Sequence, residues 1–455
     1  MKSPGSFALE KDSLPLLRAL LERLESEFAS LPPHATNLTA SQLNGIERVL
    51  HKAADRLQDN FPYFHPLYAG QMLKPPHSVA RLAYALALWI NPNNHALDGG
   101  RASSAMEKEA VGEIAGMVGW KTHLGHLCSG GTMANLEALW VAGQLRPGEK
   151  VLASQQAHYT HQRIAGVLGL DFEAIPCDRC GRIDVGRLKA RLNQGDIGTV
   201  VATIGTTATG SVDPLAELLD LRASHGFHLH ADAAYGGYFC LADNLATETQ
   251  RAYERLGEVD SLVIDPHKHG LQPCGCGCVL FRDPGVGRFY KHDSPYTYFS
   301  SAELHLGEIS LECSRPGAAA VALWATQKLL PLVKGGEFAQ GLMAGREAAL
   351  ALHARLRTDE RFLAGCAPEL DIVVWATRGE SASIASQRAR LIFAEAARRN
   401  LHLALAELPF DFFDLTGAGM KRDRDTLTCL RSVLMKPEHR DWVDRIWEIL
   451  SAAAA

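Results

Sequence analysis

No stretch of this 455-residue chain is apolar for long enough to cross a bilayer, because the longest such run, residues 79–90, is short and broken by Arg81. Nor is there a long basic run. With a formal net charge of −5 the chain lacks the cationic surface that phosphate backbones require, so nucleic acid is not an expected partner. The opening residues, MKSPGSFALEKD, do not have the basic-then-apolar profile of a secretory leader, and a cytoplasmic protein with no membrane partner is the expectation. Without export, its ten cysteines are expected to remain thiols. Cys177 and Cys180 have CxxC spacing, but no second pair follows at zinc-site distance and IPCDRCGRID reads as a turn, so no metal is expected. Cys274, Cys276 and Cys278 alternate with glycine. In an extended segment all three share one face, which suits small side chains packed in a core. Internal repeats and low-complexity linkers are also missing.

What is present is the composition of a globular protein, 47% hydrophobic and 21% charged, in a chain long enough for a large domain and a smaller companion. The first ~60 residues are largely helical and amphipathic, with Leu17, Leu20, Leu21, Leu24 and Phe28 at helical spacing and Pro15 just ahead of that run. Such a segment needs a partner surface. Residues 61–76, FPYFHPLYAGQMLKPP, read as an ordered loop. From about residue 105 to 330, short β-branched runs (199–204, 262–264, 278–281) alternate with helical stretches (185–193, 214–225). That alternation predicts an α/β fold with a mostly parallel sheet covered by helices. After Pro331, a long helical stretch and strand-like runs at 371–376 and 427–434 predict a smaller C-terminal α/β domain. The division expected is 1–90 as an N-terminal helical, dimerising segment, 91–331 as the large domain and 332–455 as the small one.

Four separated segments carry chemistry. In HLCSGGTMANLEALW, Gly130 and Gly131 precede a helical run, so backbone N–H groups can face an anion at the helix N-terminus, with the Thr132 hydroxyl as a further donor. In HLHADAAYGGYF, Asp232 ends a short apolar strand, where open α/β sheets place ligands. In SLVIDPHKHGLQPCGCGCVLFRD, Lys268 follows a strand between His267 and His269. An amine walled by apolar strands loses its proton more readily and can attack carbonyls. In ASQQAHYTHQRIAGVLGL, His158 follows a short strand and can stack on a flat ligand. Taken singly, each has a bland reading as a turn, a helix cap, a surface lysine or a structural histidine. Together they are the parts that hold pyridoxal phosphate: an anion cradle, a stacking ring, a carboxylate for the pyridine nitrogen and an amine for the aldehyde.

The motifs DPHKHGLQPCGCGCVLFRD, HADAAYGG, AHYTHQRIAGVLG and IGTTATGSVDPL resemble those of the group II pyridoxal-phosphate decarboxylases of amino acids, over about residues 60–435. HPLYAGQM and residues 105–110, AMEKEA, match more loosely. The resemblance implies the aspartate-aminotransferase-like architecture known as fold type I. It also implies a homodimer that converts an L-amino acid to its amine and carbon dioxide. Lys268 would be the Schiff-base lysine and His267 its neighbour near the phosphate, which Gly130, Gly131 and Thr132 would bind. Asp232 would pair the pyridine nitrogen, Ala234 would pack beneath the ring, His158 would stack on its other face, and Thr207 would lie beside it.

Arg431, in TLTCLRSVLMKP, is similar to an arginine that can meet the substrate carboxylate. His65, with Tyr63 and Phe64, would border the substrate pocket. Family members carry a loop tyrosine as proton donor. Among Tyr290, Tyr296, Tyr298, His292 and His305 the choice here is Tyr298. Asp265 departs from the pattern, standing where many members have asparagine, which removes the expectation of a phosphate contact there. The competing readings are another lyase or transferase of the same fold, a decarboxylation-dependent aldehyde synthase, or a catalytically silent homologue acting as an interaction protein.

Overall fold

Seven strands build the larger sheet: β1 (Leu124–Cys128), β2 (Lys150–Ser154), β3 (Phe172–Ile175), β4 (Ile197–Thr203), β5 (His228–Asp232), β6 (Ser261–Ile264) and β7 (Gly277–Phe281). The computed structural model describes residues 13–32, 38–96, 99–291, 309–413, 415 and 419–455. The strand order is β1-β7-β6-β5-β4-β2-β3, with β2 to β6 mutually parallel and β7 antiparallel to both β1 and β6. Strands β5, β6 and β7 are buried at every position. Helices on both faces impose this, so the strands read as continuous apolar runs rather than as alternation. The helices expected at 185–193 and 214–225 are present as Val185–Leu192 and Leu215–His225. Asp184 caps the first through the Arg187 N–H, and the second stops at Gly226, where φ is +74° and a side chain would be strained.

With β7 alone reversed, the loops leaving β1, β2, β4, β5 and β6 all emerge at one edge of the sheet. Open α/β sheets bind ligands at that edge.

The second sheet, β8 (Phe362–Ala364), β9 (Ile372–Thr377), β10 (Ala404–Pro409) and β11 (Thr426–Val433), is antiparallel in the order β10-β11-β9-β8. Helices Glu337–Thr358, Ala382–Arg398 and His439–Ala453 pack with it around Trp375, Leu430 and Leu352, giving the smaller α/β unit that the sequence predicts.

The N-terminal helices Ser13–Glu27 and Ala40–Leu57 are as expected in type. The second starts at a Thr39–Gln42 capping box yet buries none of its residues. Leu43, Ile46, Leu50 and Leu57 lie exposed along it at helical spacing. No helix among the described residues is long and apolar enough to cross a membrane.

The cysteine expectations need two corrections. Cys180 and Cys366 form a disulfide, so the chain does not carry ten thiols. Cys180 lies in the turn after β3 and Cys366 in the loop after β8. The two meet only because the smaller unit packs against that turn, and their separation of 186 residues gives no local signal. The cysteines near β7 also split: Cys276 and Cys278 are buried, whereas Cys274 sits in an exposed bend ahead of the strand.

Candidate active site

The loops at the carboxyl edge of the larger sheet enclose a cavity of about 330 Å³. At one end of it lies the turn after β1. Gly130 adopts φ +152° and offers no side-chain cap to the helix Gly131–Leu145, so the first-turn N–H groups of that helix are open. The turn is pressed against the start of β7, where a Cβ on Gly277 would fall 2.6 Å from the Gly130 backbone. Glycine at 277 is therefore a packing requirement, while at 130 it is the positive φ that favours glycine. His267 closes this end. Its Nδ1 donates to the Cys276 carbonyl at 2.7 Å, and its ring edge lies beside Gly130.

Lys268 lies in the loop between β6 and β7, its Nζ 2.8 Å from Asp265 Oδ2, and its side chain is 22% exposed. Asp232 is the last residue of β5. Its Oδ2 accepts from His161 Nε2 at 2.8 Å and its Oδ1 from the Ala234 N–H at 3.2 Å. Burial by itself would favour the protonated acid. The hydrogen bond from His161 and the nearby Lys268 outweigh it and hold the carboxyl well below the usual carboxylate range.

His158 follows β2, its Nδ1 2.8 Å from Thr160 Oγ1. Burial, despite the opposing pull of Asp232, lowers its pKa. It therefore presents a neutral, flat ring to the cavity. Thr207 and Ala234 complete the walls. Thr207 is carried on a hairpin whose Thr209 and Ser211 hydroxyls both donate to the Cys180 carbonyl, linking this loop to the disulfide.

Residues 140–377, just over half of the chain, match the family described as the pyridoxal-dependent decarboxylase conserved domain. The chain belongs to that family.

Among its relatives is the probable L-tyrosine/L-aspartate decarboxylase of Methanothermobacter thermautotrophicus, 30% identical over 262 residues that span 57% of this chain and 70% of that one. The L-tyrosine decarboxylase of Enterococcus faecium is 27% identical over 66% of each chain. The L-aspartate decarboxylase of Thermococcus kodakarensis is 30% identical over 62% of this chain and 73% of its own. Solved structures share the fold. Mouse CSAD in apo form has a TM-score of 0.77 at 19% identity over 97% of this chain and 99% of its own. Oryza sativa TDC with PLP and tryptamine has a TM-score of 0.77 at 18% identity over 99% of each. The α/β, aspartate-aminotransferase-like architecture implied by the motifs is thus the one found. The decarboxylase is a carboxy-lyase that works with pyridoxal phosphate.

The residues present fit that coenzyme. A glycine turn at a helix N-terminus, a buried ionised carboxylate and a lysine amine line one cavity, and small-molecule sites start at about this size. Asp265 Oδ1 is buried there with no hydrogen-bond partner among the described residues.

Two expected substrate residues are not brought to the cavity. Arg431 is buried on β11, its Nε donating to the Ala208 carbonyl at 3.2 Å and its Nη1 to the Gly70 carbonyl at 3.1 Å, so it braces the loop behind Thr207. His65 accepts the Leu67 N–H on Nδ1, packs edge-on against Trp442 at 4.9 Å and does not line the cavity. Tyr290 is buried against Trp140 and does not line the cavity. Tyr296, Tyr298, His292 and His305 lie outside the described residues.

Three further residues shape the site without a role assigned to them from sequence. His161 is hidden three positions after His158, although a helix that opens beneath a strand end must place its first turn there. Tyr235 lines the cavity while its hydroxyl donates to Asp371 of the smaller unit. His269 reaches the same carboxylate, its Nε2 2.8 Å from Asp371 Oδ2. Asp371 is more than a hundred residues from either partner and carries no motif.

Proposed function

We propose that this decarboxylase removes the α-carboxylate of an L-amino acid, with Lys268 as the amine that holds the coenzyme. The observation that carries the reading is the single cavity in which Lys268, Asp232 and the Gly130–Gly131 turn converge. Pyridoxal phosphate, when bound, supplies an aldehyde for amines and a conjugated ring that takes up the electron pair left by departing carbon dioxide. The chain's own contributions are local. The open N–H groups of the helix Gly131–Leu145, with the Thr132 hydroxyl and His267, receive the phosphate. The Asp232 carboxylate, held ionised, would keep a proton on the ring nitrogen. His158 and Ala234 would hold the ring between them, with Thr207 beside it, since all three line the cavity. Lys268, which lines the cavity, would be the amine that holds the coenzyme's aldehyde. Tyr298 is retained as the residue that returns a proton to the substrate carbon.

Tyrosine and aspartate are the substrates to test first, since relatives at about 30% identity carry those names. A homodimer is part of the proposal. The stripe Leu43, Ile46, Leu50 and Leu57 is exposed on a helix that buries nothing in its own chain, and a second copy would cover it. The division at residues 90 and 331 is kept as the domain plan.

The test is carbon dioxide release from a panel of L-amino acids, with the near-visible coenzyme band followed before and after dialysis. Lys268→Ala is expected to abolish both the dialysis-resistant band and turnover. A band that survives in Lys268→Ala would move the coenzyme to another lysine. Transamination without carbon dioxide would refute the reaction.

A further inference from the structure

His161, in the first turn of the helix Thr160–Leu168, is fully buried and does not line the cavity. Its Nε2 lies 2.8 Å from Asp232 Oδ2, while its Nδ1 is buried with no hydrogen-bond partner among the described residues. That asymmetry selects the tautomer. The proton belongs on Nε2, where a carboxylate accepts it, because an N–H at Nδ1 would be buried without an acceptor.

The other groups facing Asp232 add no competing charge on this side. His230, its ring 6.4 Å from that of His161, meets Asn135 Oδ1 through Nε2 and Ser261 Oγ through Nδ1, each at 2.8 Å. Burial, and then His161 beside it, lowers its pKa to about 3. His158 is lowered by burial as well, which leaves Lys268 as the cation on the cavity side. Without His161, the hydrogen bond left to the Asp232 carboxylate among the described residues is the one that Oδ1 accepts from the Ala234 N–H at 3.2 Å, and Oδ2 loses the donor that fixes it.

We propose that His161 is a positioning residue for the coenzyme's acid partner. By donating Nε2–H to Oδ2 it fixes the Asp232 rotamer, keeps the carboxylate ionised and leaves its remaining lone pairs for the ring nitrogen of pyridoxal phosphate. The inference rests on the reading of Asp232 given above. His161 reaches neither coenzyme nor substrate; it acts through Asp232 on how fully the ring nitrogen is protonated, and so on how well the ring accepts electrons.

The experiment uses holoenzyme reconstituted with coenzyme labelled with 15N at the ring nitrogen, whose chemical shift reports protonation without reference to turnover. In the parent, the nitrogen is expected to stay protonated between about pH 6 and pH 9, well above where a free pyridine would release it. In His161→Phe, it is expected to titrate within that window. In the same variant kcat should fall about tenfold to a hundredfold, the worth of a lost hydrogen bond to a charged group, with KM nearly unchanged. His161→Gln retains an N–H at the same reach and should restore both the shift and most of the rate. If His161→Phe does not accumulate as folded protein, His161→Asn, whose amide is too short for Oδ2, takes its place with the same expectation. A ring-nitrogen shift in His161→Phe or His161→Asn that matches the parent at every pH would overturn the proposal. A nitrogen already unprotonated in the parent, and indifferent to Asp232→Asn, would overturn the Asp232 assignment and this proposal with it.

Discussion

Replacing Asp371 with alanine should loosen the coenzyme site without touching it. The carboxylate is 1% exposed at the start of β9. It accepts from the Tyr235 hydroxyl, and its Oδ2 lies 2.8 Å from His269 Nε2. His269 Nδ1 in turn donates to the Tyr235 carbonyl at 3.0 Å, so Asp371 ties together the residue after Lys268 and the residue three beyond Asp232. Lys74 contributes a further favourable charge. Asp371→Ala leaves two buried donors unmatched and nearby positive charge uncompensated, at a cost of about 3–5 kcal/mol. For a chain of this size that corresponds to a fall of roughly 3–5 °C in the unfolding midpoint.

The acid limb gives a second reading of the same contact. Burial would raise the Asp371 pKa, but His269 and Tyr235 prevail and lower it. A carboxyl whose folded value lies below its unfolded value stabilises the fold above the unfolded value, about 3.9, and that contribution disappears as pH falls through the folded value. The parent should therefore lose stability below about pH 4 more steeply than Asp371→Ala. The measurements are urea unfolding at pH 7 and at a series of acid pH values, with coenzyme affinity by absorbance; Asp371→Ala is expected to weaken affinity by freeing the Lys268 loop. A variant within about 1 kcal/mol of the parent, with the same acid limb and the same affinity, would show that the two units do not communicate through this carboxylate.

Asp232→Asn should fold and still take up coenzyme but lose at least about a hundredfold in kcat, since the amide cannot hold a proton on the ring nitrogen; an unchanged kcat would sink the assignment. Lys436 should make stability rise on the alkaline side. Burial, followed by its neighbour Lys74, lowers it from 10.5 to about 7, so between those values the unfolded chain binds more protons and stability increases with pH. The burial penalty, on the order of 4 kcal/mol at neutral pH, is absent in Lys436→Met, whose stability should rise less steeply over pH 7–9 than the parent's, the remaining rise coming from Lys74, which is itself lowered to about 8; identical profiles in urea unfolding would refute this.

The site residues that sequence could reveal are those tied to a local pattern. Asp232 ends one short apolar strand and Lys268 follows another, Gly130 and Gly131 open a helix, and the strand ends that set their positions are encoded within a few residues. The loop residues 61–76 and the helices near 185 and 214 were legible for the same reason. Contacts made by packing one unit on another were not. Arg431 has the sequence context of a substrate ligand, yet β11 turns it into the back of the Thr207 loop, because the Gly70 and Ala208 carbonyls lie within its reach. His161 and Asp371 escaped notice because each is defined by a partner dozens to a hundred residues away, which no periodicity reports.

The Cys180–Cys366 bridge also changes what a break in the backbone does. Its ring encloses Thr207, Asp232 and Lys268, but leaves out Gly130, Gly131 and His158. A single peptide bond cut anywhere between the two cysteines therefore opens a loop rather than dividing the molecule. The oxidised protein would run as one piece on a denaturing gel and separate into two only after a thiol is added. A cut outside the ring would release a fragment under either condition. The gel pattern of a nicked sample, with and without reductant, thus reports on which side of the bridge the protease entered.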